Sequence, residues 1–212
     1  MFEIEYKGAN AVVINTRKLR VVFDPNLEIA GGKNVPVNND IEVVTEDRLS
    51  NVESSPKLLF NGPGEYEVGD ISILGIPARR HIDAGSDVRK TTIYRITVGE
   101  VKGVVVGNVE DGLSDDQLEN ISVVDFAILP VGGGGYTLDA VGATKVARQL
   151  DAKVVIPVHY RDSTLNYEVP QADLDEFVKT LGAPVIEAGQ KWKIKKSADL
   201  PDSLTIVKIA RS

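Results

Sequence analysis

The chain of 212 residues contains no cysteine and only two histidines, His81 and His159. Without cysteine there are no disulfides, no zinc–thiolate or iron–sulfur centres and no thiol nucleophile. With two imidazoles, any mechanism that needs a cluster of histidines is excluded as well. The chemistry of this protein must therefore be sought among carboxylates, amides, hydroxyls, guanidinium groups and at most two histidine rings.

Long apolar runs and an excess of basic residues are also missing. No stretch approaches the roughly 18 uninterrupted apolar residues of a membrane span, and the segment "MFEIEYKGAN" lacks the pattern of a signal peptide. The formal net charge of -7 argues against nucleic acid and against an anionic membrane as a partner. We therefore expect a cytoplasmic protein, and the sequence leaves its oligomeric state open.

What the chain does have is 42% hydrophobic residues, 19 glycines and 10 prolines, which suits many short elements joined by turns. Apolar and alternating runs predict strands through about residue 105, and helical spacing then alternates with strands. This order predicts two packed, mixed sheets with helices outside them. We find no internal linker, so residues 1–212 are predicted to form one domain.

Turn and cap signals refine this prediction. Val98-Gly99-Glu100-Val101 is typical of a tight hairpin. Ser114 and Gln117 have the spacing of a capping box at the start of a helix. The glycine run 132–135 lacks the Gly-Lys-Ser/Thr ending of a nucleotide-binding loop, so we interpret it as a strand-to-helix turn with Thr137 as the helix N-cap.

The segment "VVTEDRLSNV", residues 43–52, concentrates polar groups at the end of a predicted buried strand. Two valines are followed by Thr45, Glu46, Asp47, Arg48, Ser50 and Asn51. In α/β proteins, binding and catalytic side chains commonly lie at such strand ends. The segment is therefore the first candidate for a functional site.

The order of several short blocks carries a resemblance to a known family. The blocks "VVFDP", "VVTEDRLSNV", "GPGEYEVGDISILGIP", "VVVGN", "LPVGGGGYTLDA" and "VVIPVHY" resemble the metallo-β-lactamase superfamily, and within it the lactonase-like branch of metal-dependent hydrolases. The resemblance covers about residues 2–160. It implies a four-layer αββα sandwich. It also implies a zinc or manganese hydrolase in which a metal-bound hydroxide attacks an ester, lactone or phosphoester.

The family's metal signature, Thr-His-x-His-x-Asp-His, is largely replaced in this chain. Thr45 is kept, but Glu46 and Arg48 stand at the first two histidine positions, and Ser50 and Asn51 stand at the Asp-His pair. Gly8-Ala9 replaces an early Gly-His, and Asn108 replaces the bridging aspartate. Only His81 and His159 remain, and Asp83 beside His81 could orient that ring. Arginine cannot become a metal ligand, because it stays protonated.

The resemblance and these replacements together lead to two main hypotheses. The first is a diverged, non-catalytic member without a metal cofactor. Its vestigial pocket would bind a small anionic molecule, and Arg48, with Arg79 and Arg80, would replace the metal's charge. The pocket is predicted to contain Glu46, Asp47, Arg48, Ser50, Asn51, His81, Asn108 and His159.

The second hypothesis is a working hydrolase of a lactone or phosphoester with a rebuilt mononuclear site. Glu46, His81 and His159 would hold one zinc or manganese ion, with Asp47 as a further carboxylate nearby. A third interpretation is a purely structural or interaction protein, in which an ion pair between Arg48 and Glu46 fills the pocket.

Overall fold

The computed structural model describes residues 1–81 and 90–212, and its regular elements follow the predicted order of strands, then alternating helices and strands. The strands are β1 Phe2–Gly8, β2 Ala11–Asn15, β3 Arg20–Phe23, β4 Ile41–Val43, β5 Leu58–Phe60, β6 Gly64–Val68, β7 Ile71–Arg79, β8 Lys90–Val98, β9 Val101–Val105, β10 Phe126–Pro130, β11 Val154–Val158, β12 Val185–Glu187, β13 Trp192–Ile194 and β14 Thr205–Lys208. The helices are α1 Asp115–Ile121, α2 Ala140–Leu150 and α3 Leu174–Leu181.

These strands form two mixed sheets. The first has the order β13-β1-β2-β3-β4-β5, and the second has the order β12-β14-β11-β10-β9-β8-β7-β6. In the first sheet β1, β2 and β3 pair antiparallel, whereas β3, β4 and β5 are parallel. In the second sheet β6 to β9 form an antiparallel meander, and β9, β10, β11 and β14 are parallel. The predicted fold class is confirmed.

The main core lies between the two sheets. It is built from alternate residues of the strands and includes fully buried aromatic rings such as Tyr6, Phe23, Tyr94 and Phe126. Burying each such large side chain stabilises the fold by roughly 1.5–3 kcal/mol. The sandwich therefore rests on the alternating patterns that identified the strands in the sequence.

The outer faces of the two sheets are covered differently. Helices α1, α2 and α3 pack on the eight-stranded sheet through a second buried cluster that includes Leu138, Val146 and Phe177. In the described part of the chain, the outer face of the six-stranded sheet is covered by irregular segments that supply Leu27 and Val37. Within residues 1–81 and 90–212, no helix is long and apolar enough to cross a membrane.

Two of the local predictions from turn and cap residues are confirmed, and one is wrong. The hairpin at Val98–Val101 is confirmed by antiparallel pairing of β8 with β9, and the capping box of Ser114 and Gln117 is confirmed at α1. The N-cap at Thr137 is wrong. Asp139 caps α2, because its carboxylate accepts from the amides of Val141 and Gly142. Thr137 is fully buried and stands two residues too early to reach those amides.

Candidate functional site

The candidate site lies where the carboxyl ends of strands from both sheets meet. Backbone hydrogen bonds join the two sheets there: the Thr92 amide donates to the Thr45 carbonyl over 2.9 Å, and the His159 amide donates to the Ala9 carbonyl over 2.8 Å. The strand ends contribute Asp24 after β3, Glu46 after β4, Arg80 after β7, Asn108 after β9 and His159 after β11. Because each strand ends at this edge, residues distant in sequence come together.

Glu46 is the centre of the site, and its side chain is only 4% exposed. Its Oε2 accepts from Arg48 Nε over 2.8 Å and from Arg80 Nη1 over 3.0 Å. Its Oε1 accepts from Asn108 Nδ2 over 2.7 Å. Both oxygens of the one carboxylate are thus engaged by cationic or amide donors, as a buried carboxylate requires.

The two guanidinium groups also share an aromatic neighbour. The guanidinium carbon of Arg48 lies 4.6 Å from the centre of the Tyr136 ring, and that of Arg80 lies 5.7 Å from it. Arg80 is buried, whereas about 29% of the Arg48 side chain is exposed. Contacts at these distances are in the range of cation–π attraction. Tyr136 therefore helps to hold two like charges close to one carboxylate.

His159 is buried beside this cluster and is uncharged. Its Nδ1 donates to Asn10 Oδ1 over 2.7 Å, and its ring lies 5.6 Å from the ring of Tyr136. Burial, reinforced by the positive charge of Arg48, lowers the pKa of His159 to about 3. The backbone of His159 is left-handed, with φ 50°, which is uncommon outside glycine and asparagine.

Asp24 is the second carboxyl group at this edge. It is 1% exposed and accepts from the Thr45 amide over 2.7 Å and from Thr45 Oγ1 over 2.8 Å. Burial raises the pKa of Asp24 to about 8, despite these two hydrogen bonds and the positive charge of Arg48. At neutral pH Asp24 is therefore mostly protonated and adds little negative charge.

Three of the predicted pocket residues lie outside the Glu46 cluster. Asp47 is exposed at the start of a short 3-10 turn. Ser50 Oγ and the Asn51 amide donate to one oxygen of Glu42, over 2.6 and 3.0 Å. These bonds fix the loop that follows β4, so Ser50 and Asn51 shape the site without facing Glu46.

His81 contributes its backbone to the site rather than its ring. Its amide donates to the Asn108 carbonyl over 2.9 Å. Its Nδ1 is buried and finds no hydrogen-bond partner among the described residues. Asp83, the carboxylate predicted to orient this ring, lies outside the described residues. The side chain that reaches Glu46 is that of Arg80, the residue before His81.

The donor set does not suit the metal ion of the superfamily. Within residues 1–81 and 90–212, no group of three or more His, Asp or Glu side chains is arranged to hold an ion. Both oxygens of Glu46 are occupied, and two permanent cations lie within 3.0 Å of Oε2. A divalent ion there would be repelled by Arg48 and Arg80, neither of which can be deprotonated.

Several buried donors of the site remain without a protein acceptor. Arg48 Nη2, Arg80 Nε and Asn10 Nδ2 have no hydrogen-bond partner in the part of the chain that the structure describes. A buried donor left unpaired costs about 1–3 kcal/mol, and more when it is charged. These atoms therefore indicate a place where an external acceptor would be stabilised.

A small cavity adjoins the cluster. Its volume is about 20 Å³, and its lining includes Ile29, Leu49, Tyr136, His159 and Tyr167. Glu168 also lines it, and the Glu168 carboxylate lies 3.8 Å from Arg48 Nη1. Because Glu168 is 61% exposed, this contact places Arg48 at the rim of the cavity.

The sequence pattern identified Arg80 only as an addition to Arg48, and it gave no indication of a role for Tyr136, Asp24 or Asn10. Arg80 directly follows the end of β7, and this position at a strand end is the feature of the sequence that could have identified it as a site residue. Asp24 directly follows the buried strand β3, the same signal that singled out residues 45–51. Tyr136 and Asn10 carried no such signal, because their places depend on how the two sheets meet.

The sandwich and the polar site at its strand ends define a protein of the metallo-β-lactamase type. Residues 3–159 match the family described as the beta-lactamase superfamily domain. The chain belongs to this family, and the resemblance found in its sequence blocks is confirmed at the level of the superfamily.

Solved structures support the same fold. A protein from Thermotoga maritima, described as a Zn-dependent hydrolase of the metallo-β-lactamase superfamily, is 21% identical with a TM-score of 0.74 over 99% of this chain and 100% of that one. The metallo hydrolase Igni18 from Ignicoccus hospitalis is 17% identical, with a TM-score of 0.60 over 99% and 95%. The diiron β-hydroxylase CmlA from Streptomyces venezuelae is 14% identical, with a TM-score of 0.55 over 85% and 49%. At these identities the likeness concerns the fold.

Proposed function

We propose that this chain is a diverged, non-catalytic member of the metallo-β-lactamase superfamily that binds a small anion in a metal-free pocket. The observation that carries the proposal is the charge balance around Glu46. Two guanidinium groups contact one carboxylate oxygen, while His159 is neutral and Asp24 is mostly protonated. Glu46, Arg48 and Arg80 together carry one surplus positive charge, which the exposed Glu168 carboxylate, 3.8 Å from Arg48 Nη1, offsets only in part and which an anion would neutralise.

The same charge balance around Glu46 supports the proposed loss of hydrolytic activity. In metallo-hydrolases a bound ion lowers the pKa of water and so supplies the attacking hydroxide. Here the guanidinium groups occupy the carboxylate that the ion would need. This proposal has three further parts. The metal signature is degenerate, the chain belongs to the lactonase-like branch, and the protein is cytoplasmic, which the absence of cysteine supports.

We expect protein purified without a chelator to contain well under one equivalent of zinc, manganese or iron by elemental analysis. Adding EDTA should leave the melting temperature unchanged, because no metal contributes to the folded state. Stoichiometric metal that is lost in a His159→Asn variant would contradict this expectation. That result would favour the hydrolase with a rebuilt mononuclear site, which Glu46→Ala or His81→Ala should then inactivate.

Anion binding itself can be measured by titration calorimetry with inorganic phosphate and with acetate at two salt concentrations. Arg48→Met keeps most of the side-chain volume but removes the cation at the cavity rim. We expect it to weaken binding at least about tenfold, since hydrogen bonds to charged groups contribute roughly 1.5–3 kcal/mol. Arg148→Met, which removes an exposed arginine from the last turn of α2, is the matched control and should bind as the wild type does.

Glu168 provides a second arm of this experiment. Its exposed carboxylate lies 3.8 Å from Arg48 Nη1 and would compete with an incoming anion. Glu168→Gln should therefore tighten phosphate binding about two- to fivefold, as expected for a partly exposed pair. The proposal is rejected if neither phosphate nor acetate binds the wild type. The pocket would then be the closed ion pair of a structural protein.

A further inference from the structure

The connection between β5 and β6 contains a sequence that the proposed function does not use. Residues 61–63 are Asn-Gly-Pro, and they lead directly from the last strand of the first sheet to the last strand of the second. Asn61 is exposed, and it is the only asparagine of the chain that a glycine follows. This pair is chemically labile, because glycine has no β-carbon to hinder attack by its own backbone nitrogen.

The two groups that would react make no hydrogen bond in the part of the chain that the structure describes. The side-chain amide of Asn61 has no partner there, and the backbone N–H of Gly62 donates to no acceptor. A β-carbon built on Gly62 would meet no atom within 4 Å, so the space beside this residue is open. No hydrogen bond therefore holds the Gly62 nitrogen away from the Asn61 side chain.

The backbone on either side of Asn61 is anchored, in contrast to its side chain. The carbonyl of Phe60, in the first sheet, accepts from the Val44 amide over 2.9 Å. The carbonyl of Gly62 accepts from the hydroxyl of Tyr66, in the second sheet, over 3.0 Å. Asn61 thus connects two fixed points, one on each sheet, and any change in the length of its backbone would be felt by both.

We propose that Asn61 is a site of spontaneous modification, at which the Asn61–Gly62 peptide forms a succinimide. The Gly62 nitrogen gives up its proton and forms a bond to Asn61 Cγ. The bond from Cγ to the side-chain nitrogen breaks, and that nitrogen takes the proton and leaves as ammonia. Water then opens the ring at either of its two carbonyl–nitrogen bonds, which gives aspartate or isoaspartate. This inference does not depend on the proposed anion-binding function.

The two products should affect the fold differently. Aspartate alters only a side chain that makes no hydrogen bond with the described residues, so it should leave the melting temperature nearly unchanged. Isoaspartate places an additional backbone atom between the anchored carbonyls of Phe60 and Gly62. Because the connection is then too long for the distance that it spans, we expect the melting temperature of this form to fall by a few degrees.

The test is peptide mapping of the full chain by mass spectrometry after incubation in mildly alkaline buffer. We expect the Asn61 peptide to gain the mass that corresponds to replacing NH2 by OH, and to separate into aspartate and isoaspartate forms. Asn38, an exposed asparagine that Asn39 follows, is the internal control and should stay intact over the same period. Ion exchange then isolates the modified forms for melting measurements, in which Asn61→Asp should match the wild type.

Gly62→Ala is the matched variant, because its methyl group fits the open space and Gly62 is not among the residues with positive φ. It should convert at least about tenfold more slowly, since a β-carbon restricts the backbone rotation that the attack requires. The proposal is overturned if Asn61 converts no faster than Asn38, if no isoaspartate forms, or if Gly62→Ala converts at the wild-type rate. The comparison with Asn38 uses the wild-type chain and stands even if the variant does not fold.

Discussion

A Glu46→Gln substitution is expected to destabilise the protein by about 3 kcal/mol, because it leaves two guanidinium groups without their shared countercharge. Arg80 has no other ion-pair partner in the described residues, and its side chain is 7% exposed. For a chain of this size the loss corresponds to a fall of roughly 10 °C in melting temperature. Urea denaturation and calorimetry would measure both quantities.

A second substitution shows whether charge is the cause. In the double variant Glu46→Gln with Arg80→Met, the more deeply buried of the two cations is removed together with the carboxylate. We expect the double variant to recover part of the stability, since replacing both partners by neutral groups is often close to neutral. Glu187→Gln, which breaks the exposed pair with Lys208, is the control and should cost under about 0.5 kcal/mol.

One result would contradict the prediction for Glu46→Gln. If Glu46→Gln is within about 1 kcal/mol of the wild type, the guanidinium groups are hydrated and carry no buried surplus charge. The argument for anion binding would then lose its main support. A large loss that Arg80→Met does not relieve at all would instead point to the hydrogen bond from Asn108 as the important contact of Glu46.

The second prediction concerns the pH dependence of stability. Between pH 6.5 and 8 the free energy of unfolding should fall by about 2 kcal/mol because of Asp24. The pKa of Asp24 is raised to about 8 in the folded protein, so the folded state holds a proton that the unfolded state releases near pH 4. The stabilisation that protonated Asp24 provides is complete below its pKa in the unfolded state. It is lost as pH rises toward and through its pKa in the folded state.

His159 has the opposite effect on the acid side. Its pKa is lowered to about 3 in the folded protein, so the unfolded state binds the extra proton between pH 3 and about 6.5. Stability from His159 is therefore complete above pH 6.5 and is lost as pH falls toward 3. Between about pH 4 and 6.5 the two groups nearly cancel, so the wild type should show a plateau there.

Two variants separate these contributions. Asp24→Asn should remove the loss above pH 6.5, and asparagine can keep both hydrogen bonds with Thr45 and the left-handed backbone of this position, φ 48°. His159→Asn should reduce the loss below pH 4 and replace the plateau with a steady decline. The rest of the acid loss comes from Glu5, Asp125 and Asp162, whose pKa values are lowered by hydrogen bonds and cationic neighbours despite partial burial. Stability in urea would be measured from pH 3 to 9 for all three proteins. A flat wild-type curve from pH 6.5 to 8 would show that Asp24 titrates normally.

The fold was largely predictable from the sequence, because local signals specify it. Alternating and apolar runs marked the strands, Gly99 marked the hairpin between β8 and β9, and Ser114 with Gln117 marked the start of α1. The cap of α2 was misplaced, since both Thr137 and Asp139 are chemically suitable. Only the backbone geometry decides whose side chain reaches the free amides.

By itself, the sequence determined the superfamily and the position of the polar segment after β4. Apart from the Arg48–Glu46 ion pair of the third interpretation, it could not decide which side chains meet, because their positions on separate strand ends or loops do not show it. The side chains concerned are those of Arg80, Asn108 and Tyr136. The tertiary structure decided that Arg80 rather than His81 reaches Glu46, and that Ser50 and Asn51 serve Glu42. The physical reason is that strand order and sheet packing determine which charged side chains are buried next to one another. The local residue pattern does not specify that order or packing.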